Sequence, residues 1–309
     1  MNKRTMLVLG AAAVAGAAVL RRAGLREDLD WDMVEKPGRL IDIDGYRVHY
    51  VEQGSGPAIL LVHGFGGQTA NFAQLMPLLA DRHRVIAVDL KGFGYSERDA
   101  HAGLSHGDQV VMLKRLLGAL GVERTVLLGH SMGGAVAQRF AATNPEMVES
   151  LVLMASVAGD ERYVRRMPPP ALLRPILPLL ASLVAGRLLT ASFHDPSLLT
   201  PELREEYVRP AHIRGSREGL LAMMRDSRED PPIDRSTITM PVLLLFAAHD
   251  RAVPLRVAQR LRELIPHARL VVIDRAAHLP MVERPEECAA AIRDFLREPA
   301  GAAASAAFA

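Results

Sequence analysis

The 309-residue sequence predicts an α/β fold built on a doubly wound, mostly parallel β-sheet. Short, continuous apolar runs recur along the chain, as in strands that are buried on both faces of a sheet. Segments with helical periodicity separate these runs, and such alternation builds a parallel sheet covered by helices. One long interruption, residues 157–235, predicts a helical cap inserted between two strands.

The first two strands are predicted as a hairpin over residues 40–53. Tyr46, Val48 and Tyr50 alternate with polar residues, and Asp44-Gly45 is a two-residue turn signal. Apolar runs predict six further strands, at residues 58–62, 85–88, 126–128, 151–154, 242–246 and 270–273. Periodicity predicts helices at residues 71–79, 108–120, 132–143, 255–264 and 285–296.

The same pattern predicts the domain organisation. Residues 39–156 and 236–298 form the two parts of one core, on either side of the cap. Residues 23–38 are polar and charged and are predicted to be a linker. The low-complexity residues 299–309 are predicted to be a disordered tail.

The N-terminal segment, residues 1–22, is predicted to be an apolar anchor or a signal peptide. Residues 6–20 are apolar or small and have basic residues on both sides. The run is shorter than the about 20 residues that span a bilayer, and its length matches a signal-peptide core. The arginines directly after it disfavour export. Either interpretation makes the protein membrane-associated or exported rather than cytoplasmic.

The predicted cap combines apolar and basic residues. Apolar residues recur at near-helical spacing over residues 172–188, and no acidic residue lies between Glu161 and Asp195. This face either packs on the core or contacts a membrane surface. The formal net charge of the chain is only +2, which argues against a nucleic-acid partner.

The motif Gly129-His130-Ser131-Met132-Gly133 lies between a predicted buried strand and a predicted helix. In that context a serine occupies a tight, strained turn that exposes its hydroxyl, and the glycines avoid collisions with the neighbouring strand and helix. The free N–H groups at the helix N-terminus favour negative charge forming there. Ser131 is therefore the candidate nucleophile.

An oxyanion that forms beside Ser131 needs two donors. The N–H group of Met132, directly after the nucleophile, is one candidate. The glycine-rich loop at residues 63–67 follows a predicted strand, and the Phe65 N–H group is the second candidate. The loop is not followed by Gly-Lys-Ser/Thr, which argues against phosphate binding.

A serine hydroxyl needs a base beside it. His278 follows the last predicted strand and is the candidate base, with His249 as a rival on the loop of the candidate acid. Asp250 follows the strand at residues 242–246 and is the candidate acid that orients the imidazole. Its alternative role is to cap the next helix, and Asp160 or Asp226 could replace it only by folding back from the cap.

Together these motifs resemble those of the α/β-hydrolase superfamily, over about residues 40–296. The resemblance implies the chain order nucleophile, acid, base, here Ser131, Asp250 and His278. It also implies a short cap after the strand at residues 151–154, and no metal or organic cofactor. The segments that carry it are residues 63–67, 89–96, 129–134, 249–254 and 277–278.

Within the superfamily, the chain is similar to bacterial esterases and lipases and to carbon–carbon hydrolases of aromatic-ring degradation. The carbon–carbon hydrolases usually have Asn before the nucleophile and an aromatic residue after the base, where this chain has His130 and Leu279. Dehalogenases and epoxide hydrolases of this fold use an Asp nucleophile and are excluded by Ser131. The sequence thus predicts hydrolysis of a hydrophobic small-molecule ester. Carbon–carbon hydrolysis, a cofactor-free haloperoxidase or perhydrolase activity, and a non-catalytic binding module are the alternatives.

Overall fold

Eight strands form one sheet in the computed structural model, which describes residues 27–99, 101–158 and 187–297. Their spatial order is β1-β2-β4-β3-β5-β6-β7-β8. The strands are β1 (Arg39–Ile43), β2 (Tyr46–Gln53), β3 (Ala58–Val62), β4 (Arg84–Val88), β5 (Thr125–His130), β6 (Val148–Met154), β7 (Val242–Ala247) and β8 (Arg269–Ile273).

The sheet is parallel except at one edge. Strand β2 pairs antiparallel with both β1 and β4, and all other neighbours are parallel. The hairpin between β1 and β2 turns at Asp44 and Gly45, whose φ angles of 55° and 81° match the positive values that a tight two-residue turn requires. The predicted doubly wound sheet is confirmed.

Helices cover both faces of the sheet. Alternate residues of β3 point to opposite sides, so Leu60 and Val62 belong to one apolar cluster and Ile59 and Leu61 to the other. Among the described residues, the helices with both ends described are α1 (Met76–Leu79), α2 (His106–Ala119), α3 (Met132–Thr143), α4 (Pro201–Val208), α5 (Ser216–Asp226), α6 (Leu255–Leu264), α7 (Pro280–Glu283) and α8 (Pro285–Arg297). Short 3-10 turns occur at Thr69–Phe72, Pro145–Met147, Pro196–Leu198, Arg209–His212 and Arg235–Thr237.

The helix predicted at residues 71–79 is instead two short pieces, the 3-10 turn Thr69–Phe72 and α1. Pro77 lies in the first turn of α1. Proline has no N–H group to donate within a helix and is tolerated only near its start, so the helix begins there instead of continuing from residue 71.

The insertion between β6 and β7 includes α4 and α5 in its described part. Residues 159–186, which contain most of the predicted apolar and basic face of the cap, lie outside the described residues. The predicted anchor or signal segment and the predicted tail at residues 299–309 lie outside them too. Within the three described ranges, no helix has the length and hydrophobicity needed to cross a bilayer.

The described part of the predicted linker packs against the body of the protein. Trp31 is only 8% exposed, and its indole Nε1 donates to the carbonyl oxygens of Tyr95 and Ser96 at 2.9 and 3.0 Å. Leu29 forms an isolated β-bridge with Ile213 of the insertion. Residues 29–34 therefore connect the core to the insertion by direct contacts.

Candidate active site

Ser131 lies at the sharp turn between β5 and α3. Its φ of 53° and ψ of −118° are unusual for a residue with a side chain, and such a backbone costs about 1–3 kcal/mol. Hydrogen bonds hold the turn, because the Ser131 N–H donates to the Met154 carbonyl at 3.0 Å and its own carbonyl accepts from Gly134 and Val157. The strained turn places the hydroxyl beyond the carboxyl end of β5, as the motif predicted.

The glycines around Ser131 are required by close packing. A β-carbon at Gly129 would lie 2.4 Å from the Gly133 carbonyl oxygen, and one at Gly133 would lie 2.3 Å from the His63 carbonyl oxygen. At Gly134 it would lie 2.0 Å from the hydroxyl oxygen of Ser156. The turn, the first turn of α3 and the segments after β3 and β6 can therefore approach one another only without these side chains.

The structure brings Ser131, His278 and Asp250 together. The distance from His278 Nε2 to Ser131 Oγ is 3.0 Å, and that from His278 Nδ1 to Asp250 Oδ2 is 2.8 Å. The Asp250 side chain is fully buried, whereas that of His278 is 16% exposed. Since the carboxylate can only accept, Nδ1 carries the proton and Nε2 is free to accept the serine proton.

The second oxygen of Asp250 is bound by its own loop. Oδ1 accepts from the N–H groups of Ala252 and Val253, both at 2.8 Å. These bonds fix the carboxylate so that Oδ2 faces His278. The alternative role considered for Asp250, capping of the next helix, does not apply, because Pro254 occupies the N-cap position of α6.

The backbone around His278 is bound from three sides. Its N–H donates to the Ser192 carbonyl of the insertion at 3.0 Å, and its carbonyl accepts from His130 Nε2 at 2.8 Å. The N–H of the preceding Ala277 donates to Glu283 Oε2 at 2.7 Å. The candidate base therefore contacts the nucleophile strand, the insertion and α7 through its main chain.

His130 precedes the candidate nucleophile and is 3% exposed. Burial lowers the pKa of its imidazole to about 3, so the ring is neutral near pH 7 and donates from Nε2. Its Nδ1 is buried without a hydrogen-bond partner among the described residues, and a β-carbon at Gly64 would lie 3.1 Å from it. His130 thus sits between the glycine-rich loop and the backbone of His278.

The glycine-rich loop lies directly against Ser131. A β-carbon at Gly64 would be 2.9 Å from that of Ser131. His63 fixes the start of the loop, because its Nδ1 donates to the Gly64 carbonyl at 2.7 Å and its Nε2 accepts from the Leu90 N–H at 3.0 Å. An accepting Nε2 requires a neutral ring, and burial lowers the pKa of His63 accordingly.

The two predicted oxyanion donors lie on the segments that flank Ser131. Met132 is the first residue of α3, where N–H groups have no partner within the helix. Phe65 lies in the loop that packs on Ser131, and it is 46% exposed. The loop and the helix N-terminus therefore border the space in front of the serine hydroxyl.

The motif at residues 89–96 supports the neighbouring loops. Asp89 is fully buried and accepts from the Thr69 and Tyr95 N–H groups at 2.6 and 2.7 Å and from His49 Nδ1 at 2.7 Å. Burial opposes ionisation, but the hydrogen bonds and electrostatic interactions of the carboxylate, that with His49 first among them, together outweigh it and lower the pKa of Asp89. Asp89 therefore joins two loops through its carboxylate.

Two of the rival residues, His249 and Asp226, have other partners. His249 stacks on His194 with ring centroids 4.2 Å apart, and its Nε2 is 3.7 Å from Asp274. Asp226 accepts from the Leu104 N–H, and Asp160 lies outside the described residues. Among the residues that the structure describes, no group of three or more His, Cys, Asp or Glu side chains could hold a metal ion.

The sequence predicted neither a site role for Glu283 nor a hydrogen bond from His130. Both side chains act on main-chain groups of residues 277–278. The only signal in the sequence is that Glu283 follows His278 within five positions in a segment that is otherwise apolar. Nothing local shows that the His130 ring reaches a residue 148 positions away.

The sequence model for the alpha/beta hydrolase fold matches residues 57–285, a range that includes Ser131, Asp250 and His278. The chain belongs to the α/β-hydrolase family. A curated relative, the 2-hydroxymuconate semialdehyde hydrolase of Pseudomonas putida, is 32% identical over 282 residues, which cover 84% of this chain and 94% of the relative.

Solved structures of other hydrolases share the fold. An esterase of Thermogutta terrifontis superposes with a TM-score of 0.70 and 26% identity, covering 84% of this chain and 98% of its own. A bacterial membrane phospholipase A superposes with a TM-score of 0.69 and 27% identity, covering 94% of this chain and 96% of its own. The family and the hydrolase class are thus established, and neighbours with different substrates share this architecture.

Proposed function

We propose that this hydrolase cleaves carboxylic esters through an acyl-enzyme on Ser131. The observation that carries the proposal is the continuous hydrogen-bond chain from Ser131 Oγ through His278 to Asp250, at 3.0 and 2.8 Å. A nucleophile, a base within reach of it and a group that orients the base are the elements of serine acyl transfer.

In acylation, His278 Nε2 removes the hydroxyl proton while Ser131 Oγ attacks the acyl carbon. The tetrahedral oxyanion accepts hydrogen bonds from the Met132 and Phe65 N–H groups. His278 then returns the proton to the alcohol oxygen as the carbon–oxygen bond breaks. In deacylation, the same base activates water, and the acid product and the free serine are released.

Asp250 contributes by stabilising the imidazolium that exists during both steps. Its carboxylate is fully buried and already bound at Oδ1, so it need not reorganise when the ring becomes positive. The N-terminal end of α3 adds a favourable partial charge near the oxyanion.

Apolar side chains around the site support a hydrophobic substrate. The exposed ring of Phe65 contacts that of Phe93, with centroids 6.0 Å apart. Leu188 of the insertion, one helical turn before the Ser192 that binds the His278 N–H, is 61% exposed. An acyl or alkyl chain that covers such surfaces gains about 25 cal/mol for each Å² of apolar area removed from water.

The test is hydrolysis of p-nitrophenyl esters of increasing acyl length by the wild type and by Ser131→Ala. We expect turnover by the wild type, a loss of at least about 10³-fold in the variant, and covalent labelling of Ser131 by a fluorophosphonate. Labelling without hydrolysis of any ester would contradict the proposed substrate class but keep the nucleophile. No labelling of the folded wild type would overturn both.

Carbon–carbon bond hydrolysis is the second candidate, because the Pseudomonas putida relative at 32% identity, a 2-hydroxymuconate semialdehyde hydrolase, is one of the carbon–carbon hydrolases of aromatic-ring degradation. Two features favour the ester. At position 130 the side chain is a histidine that is bound to the His278 carbonyl. At position 279 it is a leucine that is 6% exposed and packed in the core. Neither is the side chain that the carbon–carbon hydrolases usually have at that position. Turnover of a 2-hydroxy-6-oxo-dienoate faster than any ester would reverse this assignment.

We also propose that residues 6–20, and the cap if its apolar and basic face is exposed, hold the enzyme at a membrane. The apolar run with basic flanks supports this proposal. The test deletes residues 1–22, which leaves the packed segment that begins near Leu29. We expect the deletion to move the protein from the membrane fraction to the soluble fraction while ester hydrolysis persists, and unchanged fractionation would refute the anchor.

A further inference from the structure

Glu283 is a buried carboxylate that the mechanism above does not use. The residue is 4% exposed and lies at the end of α7. Its Oε2 accepts from the Ala277 N–H at 2.7 Å, and its Oε1 accepts from the N–H groups of His194 and Asp195 at 2.7 and 3.0 Å. One side chain thus binds the segment of the candidate base and a segment of the insertion.

The three partners of Glu283 are all donors. A carboxylate can accept at both oxygens, whereas an amide must turn an NH₂ group toward one side. A buried N–H group that loses its acceptor costs about 1–3 kcal/mol. The site therefore fits a carboxylate and does not fit the isosteric amide, whichever way the amide is oriented.

The insertion binds the base segment at a second point. The His278 N–H donates to the Ser192 carbonyl at 3.0 Å, and Phe193, next to it, is 5% exposed and packs in the same apolar cluster as Leu279. Residues 192–195 of the insertion are therefore seated directly on the main chain that carries the imidazole.

We propose that Glu283 is a positioning residue that holds His278 in line with Ser131 and couples the base to residues 192–195 of the insertion. It reaches the chemistry only through main-chain groups and does not touch the reacting atoms. This inference rests on the proposed role of His278 as base. It adds that the base is in place only when residues 192–195 of the insertion are docked.

The test compares Glu283→Gln with Glu286→Gln, the same change at an exposed position three residues along the chain. The readout is fluorophosphonate labelling at a series of probe concentrations, which separates the limiting labelling rate of the folded enzyme from the probe affinity. Active-site titration gives the labelled fraction, and urea unfolding gives the stability of each variant.

We expect Glu283→Gln to lower the limiting labelling rate by about 10- to 100-fold, because a small displacement of a base has effects of that size. The probe affinity stays near that of the wild type, since Glu283 does not contact the probe. Glu286→Gln labels at the wild-type rate. A purely structural role predicts a smaller labelled fraction with an unchanged limiting rate, and that result would overturn the proposal.

Glu283→Asp provides a second variant that keeps the charge and both acceptor oxygens on a shorter stem. We expect its limiting rate to lie between those of Glu283→Gln and the wild type. If Glu283→Gln does not fold, a wild-type limiting rate in folded Glu283→Asp together with full stability would refute the positioning role. If the wild type itself is not labelled, the proposed function fails first, and the two failures are thereby distinguished.

Discussion

The two carboxylate oxygens of Asp250 bind different partners, so that one oxygen has a structural role and the other a role in the proposed chemistry. Oδ1 accepts from two N–H groups of its own loop, and Oδ2 accepts from His278. In Asp250→Asn, the amide oxygen can retain the loop contacts while NH₂ faces His278 Nδ1. The imidazole would then carry its proton on Nε2 and could not accept from Ser131. We expect kcat/KM for ester hydrolysis to fall by about 10³- to 10⁴-fold.

The matched control is Asp274→Asn, on the exposed loop after β8, which should hydrolyse esters at the wild-type rate. Unfolding in urea should give similar stability for both variants and the wild type, because the loop bonds are retained. Activity of Asp250→Asn within about tenfold of the wild type would show that His278 does not need this orienting group.

The residues of the proposed triad were predictable because each follows an apolar strand in a short, recognisable motif. Ser131, Asp250 and His278 each lie within a few residues of a strand end, and the carboxyl ends of parallel strands share one edge of the sheet. The contacts of His130 and Glu283 were not predictable, since both depend on backbone groups placed by the tertiary fold.

Two glycines in helices, Gly133 in α3 and Gly118 in α2, can be compared. A β-carbon at Gly133 would lie 2.3 and 2.4 Å from the carbonyl oxygens of His63 and Val62, whereas at Gly118 in α2 nothing lies within 4 Å. Alanine favours a helix over glycine by about 0.5–1 kcal/mol. We expect Gly118→Ala to raise the free energy of unfolding by that amount.

Gly133→Ala should lower the free energy of unfolding by about 1–3 kcal/mol, because backbone atoms must move to admit the methyl group. The displaced atoms begin the glycine-rich loop, so ester hydrolysis should fall as well. Urea unfolding of the two variants measures both effects. If Gly133→Ala instead raised the free energy of unfolding, the loop after β3 would have moved to admit the methyl group without loss of stability.

At the scale of elements, the sequence predicted helices best where no proline or tight turn intervenes. The predicted residues 132–143 and 255–264 coincide with α3 and α6. The single helix predicted at residues 71–79 was wrong, because apolar spacing alone does not indicate that a new helix begins at a proline. The packing of Trp31 was not predicted either, because residues 23–38 were interpreted as a linker from their charged residues.

The molecule as a whole should lose stability in mild acid because it buries neutral histidines. Burial lowers the pKa of His130 to about 3 and also lowers that of His63, whereas an unfolded histidine titrates near about 6.5. Below that pH the unfolded chain binds protons that the folded protein does not. The stability is therefore complete above about pH 6.5 and falls toward pH 3, by up to about 1.4 kcal/mol per pH unit for each group.

Urea unfolding at pH 7.5, 6 and 5 measures this slope. His130→Gln should reduce the slope of stability against pH by nearly the amount that one bound proton contributes. Replacement of the exposed His101 should leave that slope unchanged. Asp89, whose pKa is lowered, contributes a separate loss only at lower pH. A His130→Gln protein with the wild-type slope would show that this ring does not remain neutral in the folded state.

The position of the insertion in the sequence divides the candidate catalytic residues between two stretches of the chain. Ser131 comes before it and Asp250 and His278 come after it, yet β6 and β7 pair side by side, from Leu151↔Val242 to Met154↔Leu245. A cut between residues 159 and 186 would therefore yield one fragment with the candidate nucleophile and another with the candidate acid and base. Each fragment alone should be inactive, and fusing them to two interacting proteins should restore hydrolysis, which would make this enzyme a reporter of molecular proximity.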